Sequence, residues 1–400
     1  MNSLARSGWS FWVDRGGTFT DLVAQAPDGR IVTHKLLSES PERYPDAIVE
    51  GIRRILDREA PLRRSPISII NLGTTVGTNA LLEGNGAPVV LIVNEGFKDA
   101  LAIGNQSRPD LFALHIRRQS PLYMGVIEAK GRLDAKGHVI EPLNLDALKL
   151  DLAAALKRGY RTLAINLIHA WVNPEHERLV SELALSLGFE QVSRSHECSP
   201  GIRFVPRGDT TVLDAYLSPV FDQYKKSFIR ALSQLGGGYP EDIPPNISIM
   251  QSHGGLSSLQ TFKARDSILS GPAGGLIGAK EIAHRSGFSK IVTFDMGGTS
   301  TDVAHYAGEL ERSEETEVLG RRVRVPSLSI HTVAAGGGSI LGFDNGRLRV
   351  GPDSAGAHPG PACYRNGGPL TVTDANLLLG KIRPEYFPSV FGPEGRETID

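Results

Sequence analysis

Apolar residues in the first 36 positions fall into three short runs separated by turn residues. Phe11–Asp14, Asp21–Gln25 and Ile31–Leu36 each read as a strand. A glycine pair lies between the first two, and Pro27-Asp28-Gly29 between the last two, which predicts a β-meander. The period then changes. Ile48, Ile52 and Ile55 recur at helical spacing and predict a helix within Pro45–Arg58. Ile67–Leu72 reads as a short buried strand. It leads into G-T-T-V-G-T-N at Gly73–Asn79, a short helix over Ala80–Leu82 and another apolar strand at Pro88–Val93.

The alternation continues. A helix over Leu145–Arg158 precedes a strand at Thr162–Ile168, and a helix over Glu175–Leu187 stops at Gly188. Thr210–Ala231 reads as one long amphipathic helix, bent at Pro219. Gly236–Pro245 is a loop rich in glycine and proline and is the best internal boundary, giving units 9–235 and 246–400. Strands follow at Ile247–Gln251 and Lys290–Asp295, with a helix over Gly275–Arg285 between them. Strands at Val303–Tyr306 and Val323–Ile330 flank the run E-R-S-E-E-T-E, which reads as a solvated face. The strand–hairpin–strand–strand start thus returns after Lys290, an internal duplication of a whole domain in the α/β class.

Both copies centre on the same string. Val13–Asp21 reads V-D-R-G-G-T-F-T-D and Phe294–Asp302 reads F-D-M-G-G-T-S-T-D, at a constant offset of 281. Glycines there let the backbone approach a phosphate and take up positive φ. Successive N–H groups in such a turn form an anion-binding concavity. The threonine adds a donor. The leading aspartate, at a strand end, suits Mg²⁺, which prefers carboxylate and phosphate oxygens. One such string is equally a plain hairpin turn. Two of them point to phosphates held from both sides. No G-x-x-x-x-G-K-[ST] P-loop and no G-x-G-x-x-G between strand and helix is present.

The bulk numbers narrow the class. The formal net charge is −1, so no global field draws in nucleic acid or an anionic membrane surface. No run approaches the roughly 20 apolar residues of a membrane span, and the first ten residues lack a signal-peptide core. Two cysteines, Cys198 and Cys363, build no disulfide framework, which fits a reducing, cytoplasmic setting. His358 and Cys363 have a spacing compatible with a metal, but a structural loop is the better reading. Gly336–Ser339 and Ser270–Gly275 read equally as phosphate or adenine contacts and as packing turns. Thr74, Thr75 and Asn79 read as pocket lining or as helix caps.

Paired D-x-G-G-T-x-T-D hairpins on a duplicated domain resemble the actin-like ATPase and sugar-kinase superfamily, which implies two ribonuclease H-like domains. Longer strings are similar to the hydantoinase A/oxoprolinase family: Gly73–Leu82, Leu269–Gly275, Thr332–Ser339 and Ser354–Tyr364. Val205–Thr210 and Tyr386–Pro393 point to its 5-oxoprolinase branch. The resemblance implies an ATP- and Mg²⁺-dependent, cytoplasmic hydrolase of the γ-glutamyl (glutathione) cycle. It would convert 5-oxoproline, ATP and water to glutamate, ADP and phosphate by phosphorylating the amide oxygen. Relatives acting on methylhydantoin or carboxylating ketones are the alternative, as is an ATPase-like module without activity of its own. The resemblance also implies that Asp14 and Asp295 face Mg²⁺ and the attacking atom. Gly16, Gly17 and Thr18 would hold the β-phosphate side, Gly297, Gly298 and Thr299 the γ-phosphate side, and Arg15 would add charge to the transferring group. Expected partners are a small lactam substrate, a hydantoinase B-type half or subunit and further copies of the chain in a homo-oligomer, with no nucleic acid and no membrane. Two departures stand out. Ser252-His253-Gly254-Gly255-Leu256 has a histidine where the family carries an acid. The family's hydantoinase A half also runs on past the position of Asp400, with a further glycine-rich adenosine contact, so a front fragment is expected.

Overall fold

The computed structural model describes residues 8–59, 65–82, 84–105, 112, 114, 120–235, 246–318, 321–392 and 394–400. The expected meander forms. Trp9–Arg15 pairs antiparallel with Phe19–Gln25, and that strand with Ile31–Leu37. Ile67–Thr74 then lies parallel along the other side of the first strand, Asn246–Met250 lies parallel to it, and Leu256–Ser258 completes the six-stranded sheet. Three antiparallel strands followed by parallel additions is the ribonuclease H-like arrangement. The strands near residue 250 therefore belong to the first sheet, and the expected boundary at Gly236–Pro245 lies outside the described residues.

Alternation along Trp9–Arg15 sends Phe11 and Val13 into the core and Trp12 and Asp14 to the open face. The helix Ala47–Glu59 packs against this meander through Ile48, Ile52 and Ile55, all fully buried. Each contributes roughly 1.5–3 kcal/mol by leaving water. Asp46 fixes the helix start, its carboxylate accepting from the N–H groups of Ile48 (2.8 Å) and Val49 (3.0 Å).

A second sheet runs in the order Gln191–Arg194, Thr162–Ile165, Val89–Asn94, Tyr123–Ala129, all parallel. Val89–Asn94 is buried at every residue, as a central strand covered on both faces must be. The helix Phe204–Gln234, with Pro219 inside it, packs against this sheet and meets the helix Ala47–Glu59 that lies on the first. It begins earlier than the sequence pattern suggests. Nearly every residue from Pro206 to Leu217 is buried, so no polar face marks its start.

After Ser270–Arg285, a helix that begins at Ser270 rather than Gly275, the second copy of the hairpin appears. Ile291–Met296 pairs antiparallel with Thr301–Tyr306, which pairs with Ile330–Val333. The single strand expected at Val323–Ile330 is instead broken into Arg321–Val323, Ser327–Leu328 and Ile330–Val333 around Pro326, which lacks the N–H a continuous ladder needs. Among the described residues no helix is long and apolar enough to cross a membrane.

Candidate functional site

The two hairpins close identically. In the first, the Gly16 N–H donates to the Phe19 carbonyl at 3.0 Å, and Asp14 sits opposite Asp21. In the second, Gly297 donates to Ser300 at 2.9 Å, and Asp295 sits opposite Asp302. All four positions keep the 281 offset. The N–H groups of Gly17, Thr18, Gly298 and Thr299 find no acceptor among the described residues. None of the four hairpin glycines has positive φ, contrary to the conformational reason first given for them.

Proximity is the reason. A β-carbon on Gly17 would stand 3.1 Å from Thr299 Oγ1, and one on Gly298 would overlap Thr18 Oγ1. Gly17 and Gly298 are counterparts, as are Thr18 and Thr299. Each hairpin therefore presses its threonine against the other's glycine across a local two-fold relation. Thr18 is buried and its hydroxyl oxygen has no hydrogen-bond partner.

The acids converge on this contact. Asp14 opens to solvent within a concave surround. Burial pushes its carboxyl above the ordinary value, the Asp21 and then the Asp295 charge push it the same way, and Lys35 opposes them. Lys35 itself grips Asp21 at 2.7 and 2.8 Å. Asp302 is raised by burial, lowered by the Thr332 hydroxyl donating at 2.6 Å, and raised again by Asp295. The site holds more negative charge than it neutralises, which favours a cation. Among the described residues no three His, Cys, Asp or Glu side chains are grouped to enclose a metal. Two carboxylates suit Mg²⁺, which keeps water and phosphate oxygens in its shell, better than an ion that needs an all-protein cage.

Neighbouring strings build the walls. Gly73 lies beside Asp14 in register, and a β-carbon there would meet Asp14 Oδ1 at 3.0 Å. Thr74 caps the following helix, Val76–Leu82, through its hydroxyl (3.3 Å to Val76 N–H), while Thr75 Oγ1 is buried without a partner. Ser270 Oγ donates to the Thr74 carbonyl at 3.0 Å and Thr78 Oγ1 to the Ile268 carbonyl at 2.8 Å, which clamps the two strings together. Gly336–Ser339 is a packing turn behind the second hairpin. Gly337 N–H donates to Gly297 O at 2.9 Å and Gly338 N–H to Gly298 O at 2.6 Å, so neither is left for a ligand. Ser38 does the same behind the first hairpin, its N–H donating to Thr18 O and its hydroxyl to Gly16 O at 2.7 Å. Nothing in the sequence around Ser38 signals that role.

Arg15, expected near a transferring group, follows strand alternation away from Asp14. It stands 3.7 Å from Asp46, close enough to the Tyr224 hydroxyl to influence it. His253 folds onto its own turn and its Nδ1 accepts from Gly255 N–H at 3.2 Å, a bond an aspartate there would also make. His358 Nδ1 meets Asn366 Nδ2 at 2.9 Å. Burial, with help from Asp374, pushes the Cys363 thiol up to about 12, and burial pushes Cys198 well above its ordinary value. Both are free, buried cysteines held in the thiol form. A cavity of about 220 Å³ between residues 37–43 and the segments around His358 and Phe391 is lined by none of the hairpin residues.

Two family models match in tandem: the hydantoinase/oxoprolinase N-terminal region over residues 10–188, and hydantoinase/oxoprolinase over 207–400. The chain belongs to the hydantoinase/oxoprolinase family. It is 44% identical to 5-oxoprolinase 1 of Arabidopsis thaliana, across 100% of this chain and 33% of that protein. Among solved structures, the ATP-dependent caprolactamase from Pseudomonas jessenii superposes with a TM-score of 0.74 at 31% identity, covering 97% of this chain and 57% of that one. A nucleotide-free acetone carboxylase gives 0.79 at 25% identity, over 95% and 56%. The chain thus spans about a third of the length of the 5-oxoprolinases it matches.

Proposed function

We propose that this chain is the ATP-handling part of an ATP-dependent cyclic-amide hydrolase of the 5-oxoprolinase type, opening 5-oxo-L-proline to L-glutamate. The observation that carries it is the interlock of the hairpins. Four unpaired N–H groups, an orphaned buried hydroxyl at Thr18 and the Asp14–Asp295 pair meet where the two copies touch. That is a donor set for a polyphosphate beside a carboxylate pair for its counter-ion. Relatives at about 44% identity carry the 5-oxoprolinase name, which supports the substrate.

The chemistry explains the need for ATP. A lactam carbonyl is a poor electrophile because the nitrogen lone pair delocalises into it. Phosphorylating its oxygen removes that resonance. Water can then add to the carbon and the C–N bond breaks with the nitrogen taking a proton, which leaves an acyl phosphate; a second water cleaves that to the carboxylate and free phosphate. Mg²⁺ would supply charge neutralisation at the phosphates, held by Asp14 and Asp295. The remaining residues position. Gly16, Gly17 and Thr18 face one side of the phosphate chain, and Gly297, Gly298 and Thr299 the other.

The test is a full-length chimaera in which this chain replaces the matching third of Arabidopsis 5-oxoprolinase 1. ATP-coupled turnover is expected with 5-oxoproline and not with methylhydantoin or acetone. A preference for either of the latter, or near-normal turnover with Asp14→Asn, would remove the reading.

A further inference from the structure

The two hairpins share their acids but not the residue that faces them from the third strand. Alternation sets Asp14, Asp21 and Lys35 in one row on the open side of the first meander. Asp14 lies opposite Asp21, and Asp21 opposite Lys35. In the second copy Asp295 lies opposite Asp302, and Asp302 opposite Thr332. Thr332 therefore holds the place of Lys35. Register reveals this correspondence and the constant offset does not, because the second copy takes a longer path to its third strand. The two residues differ in charge and in what they have left to give. The Thr332 hydroxyl donates its one hydrogen to Asp302 Oδ1 at 2.6 Å. The Lys35 ammonium reaches the two Asp21 oxygens at 2.7 and 2.8 Å, and it carries three hydrogens. One is left over.

The ammonium is fixed beside the turn. It stands 4.8 Å from the centroid of the Phe19 ring, and that ring packs on Tyr364, Phe387 and Phe391. Phe19 follows Thr18, and its carbonyl closes the turn by accepting from Gly16 N–H. A carboxylate and an anchored ring thus hold a cation next to the loop that carries the Gly17 and Thr18 N–H groups. Its charge reaches Asp14, where it opposes burial and the two neighbouring carboxylates. Arg15, the cation expected there from the sequence, is turned towards Asp46 instead.

We propose that Lys35 is a phosphate-binding residue: anchored by Asp21, its ammonium turns the remaining N–H to a non-bridging oxygen of the nucleotide's phosphate chain. The inference rests on the ATP-handling reading above and gives the two sides of the cleft different tasks. The first hairpin brings a protein cation to the phosphates. The matching position of the second offers only a committed hydroxyl, so neutralisation on that side falls to the counter-ion at Asp295.

Isothermal titration of the full-length chimaera with Mg²⁺ and either ATP or tripolyphosphate tests it without turnover. The Lys35–Asp21 pair is exposed and contributes little to stability, so variants at it should melt close to the parent. Lys35→Met keeps the apolar stem and removes the donors. It should weaken both ligands by about tenfold, the loss of one hydrogen bond to a charged group. Lys35→Met also bares Asp21, and a second variant separates the two effects. Lys35→Met combined with Asp21→Asn should bind as weakly as Lys35→Met alone. Parent-like binding by the combined variant would show that Lys35 only neutralises Asp21, and overturns the proposal. Parent-like binding by Lys35→Met, or a loss confined to ATP, overturns it too. An unsubstituted chimaera that binds neither ligand removes the ATP-handling reading, and this proposal with it.

Discussion

Gly336→Ala separates a supporting glycine from a ligand-binding one. Gly336 has no positive φ, so alanine's backbone is unstrained and the cost is steric alone. Its β-carbon would stand 2.7 Å from Gly297 O and 2.8 Å from both the carbonyl carbon and oxygen of Gly298. Ordinary contact begins near 3.4 Å, so about 0.6–0.7 Å must be found. All three neighbours are backbone atoms of the second hairpin, and no side chain can rotate away. The hairpin must move, straining the bonds from Gly337 and Gly338 that hold it. Overpacking of this kind costs about 1–3 kcal/mol. A 1 Å misplacement costs roughly 10²-fold in a positioned reaction, so about tenfold weaker Mg²⁺-dependent ATP binding is expected. Gly275→Ala is the control. It lies in a helix with nothing within 4 Å of the added carbon, and should stabilise by about 0.5–1 kcal/mol. Isothermal titration with ATP, alongside thermal melting of each variant, gives both numbers. A Gly336→Ala chain that melts and binds like its parent would show that the second hairpin is not held from behind as described.

Asp14 has a folded pKa above 3.8, so between that value and its raised one the folded chain binds more protons than the unfolded, and stability falls as pH rises through that window. Asp14→Asn should therefore raise the melting temperature at pH 7 without Mg²⁺ while weakening Mg²⁺-dependent ATP binding; a lower melting temperature contradicts the assigned electrostatics. In the full-length chimaera, Asp295→Ala should reduce kcat by about 10²-fold or more, measured as glutamate release. Glu177 is wholly buried and accepts from Leu167 N–H, Ser195 Oγ, His196 N–H and His196 Nδ1. Glu177→Ala should cost about 3–5 kcal/mol in urea unfolding yet leave the ATP affinity of the folded fraction unchanged. The 400-residue chain alone should bind ATP and GTP weakly and within a few-fold of each other, and should release no glutamate from 5-oxoproline; strong adenine selectivity would show that the base is already gripped.

The hairpins were legible because their residue types repeat at one offset, and the helix under the meander because Ile48, Ile52 and Ile55 mark a single face. Other features were hidden for physical reasons. A glycine run reads the same whether it cradles phosphate or lets two backbones touch, so Gly336–Gly338 could not be assigned before its N–H groups were seen bonded to the hairpin. The buried start of the helix at Phe204 has no polar side to betray it. The ribbon formed by Ser339–Asp344 and Arg347–Ser354 did carry a signal, Asn345-Gly346, and both residues adopt the positive φ that such a turn requires. The interlock of Gly17 with Thr299 and Thr18 with Gly298 is a fact of three dimensions that no linear pattern contains.

The first hairpin also has a temporal dependence. Phe19, at its turn, packs on Tyr364, Phe387 and Phe391, and Arg43 donates to the carbonyls of Val390 and Gly392. Arg43 and Val390 are 347 residues apart in sequence. At ribosomal speeds of about 5–20 residues per second, the hairpin waits on the order of 20–70 s for its supporting aromatics to emerge. Contacts of such high order close late in folding as well as in synthesis. The hairpin end of the first meander is therefore among the first parts of the chain to be made and among the last to become rigid, and in that interval its apolar back is open to chaperones.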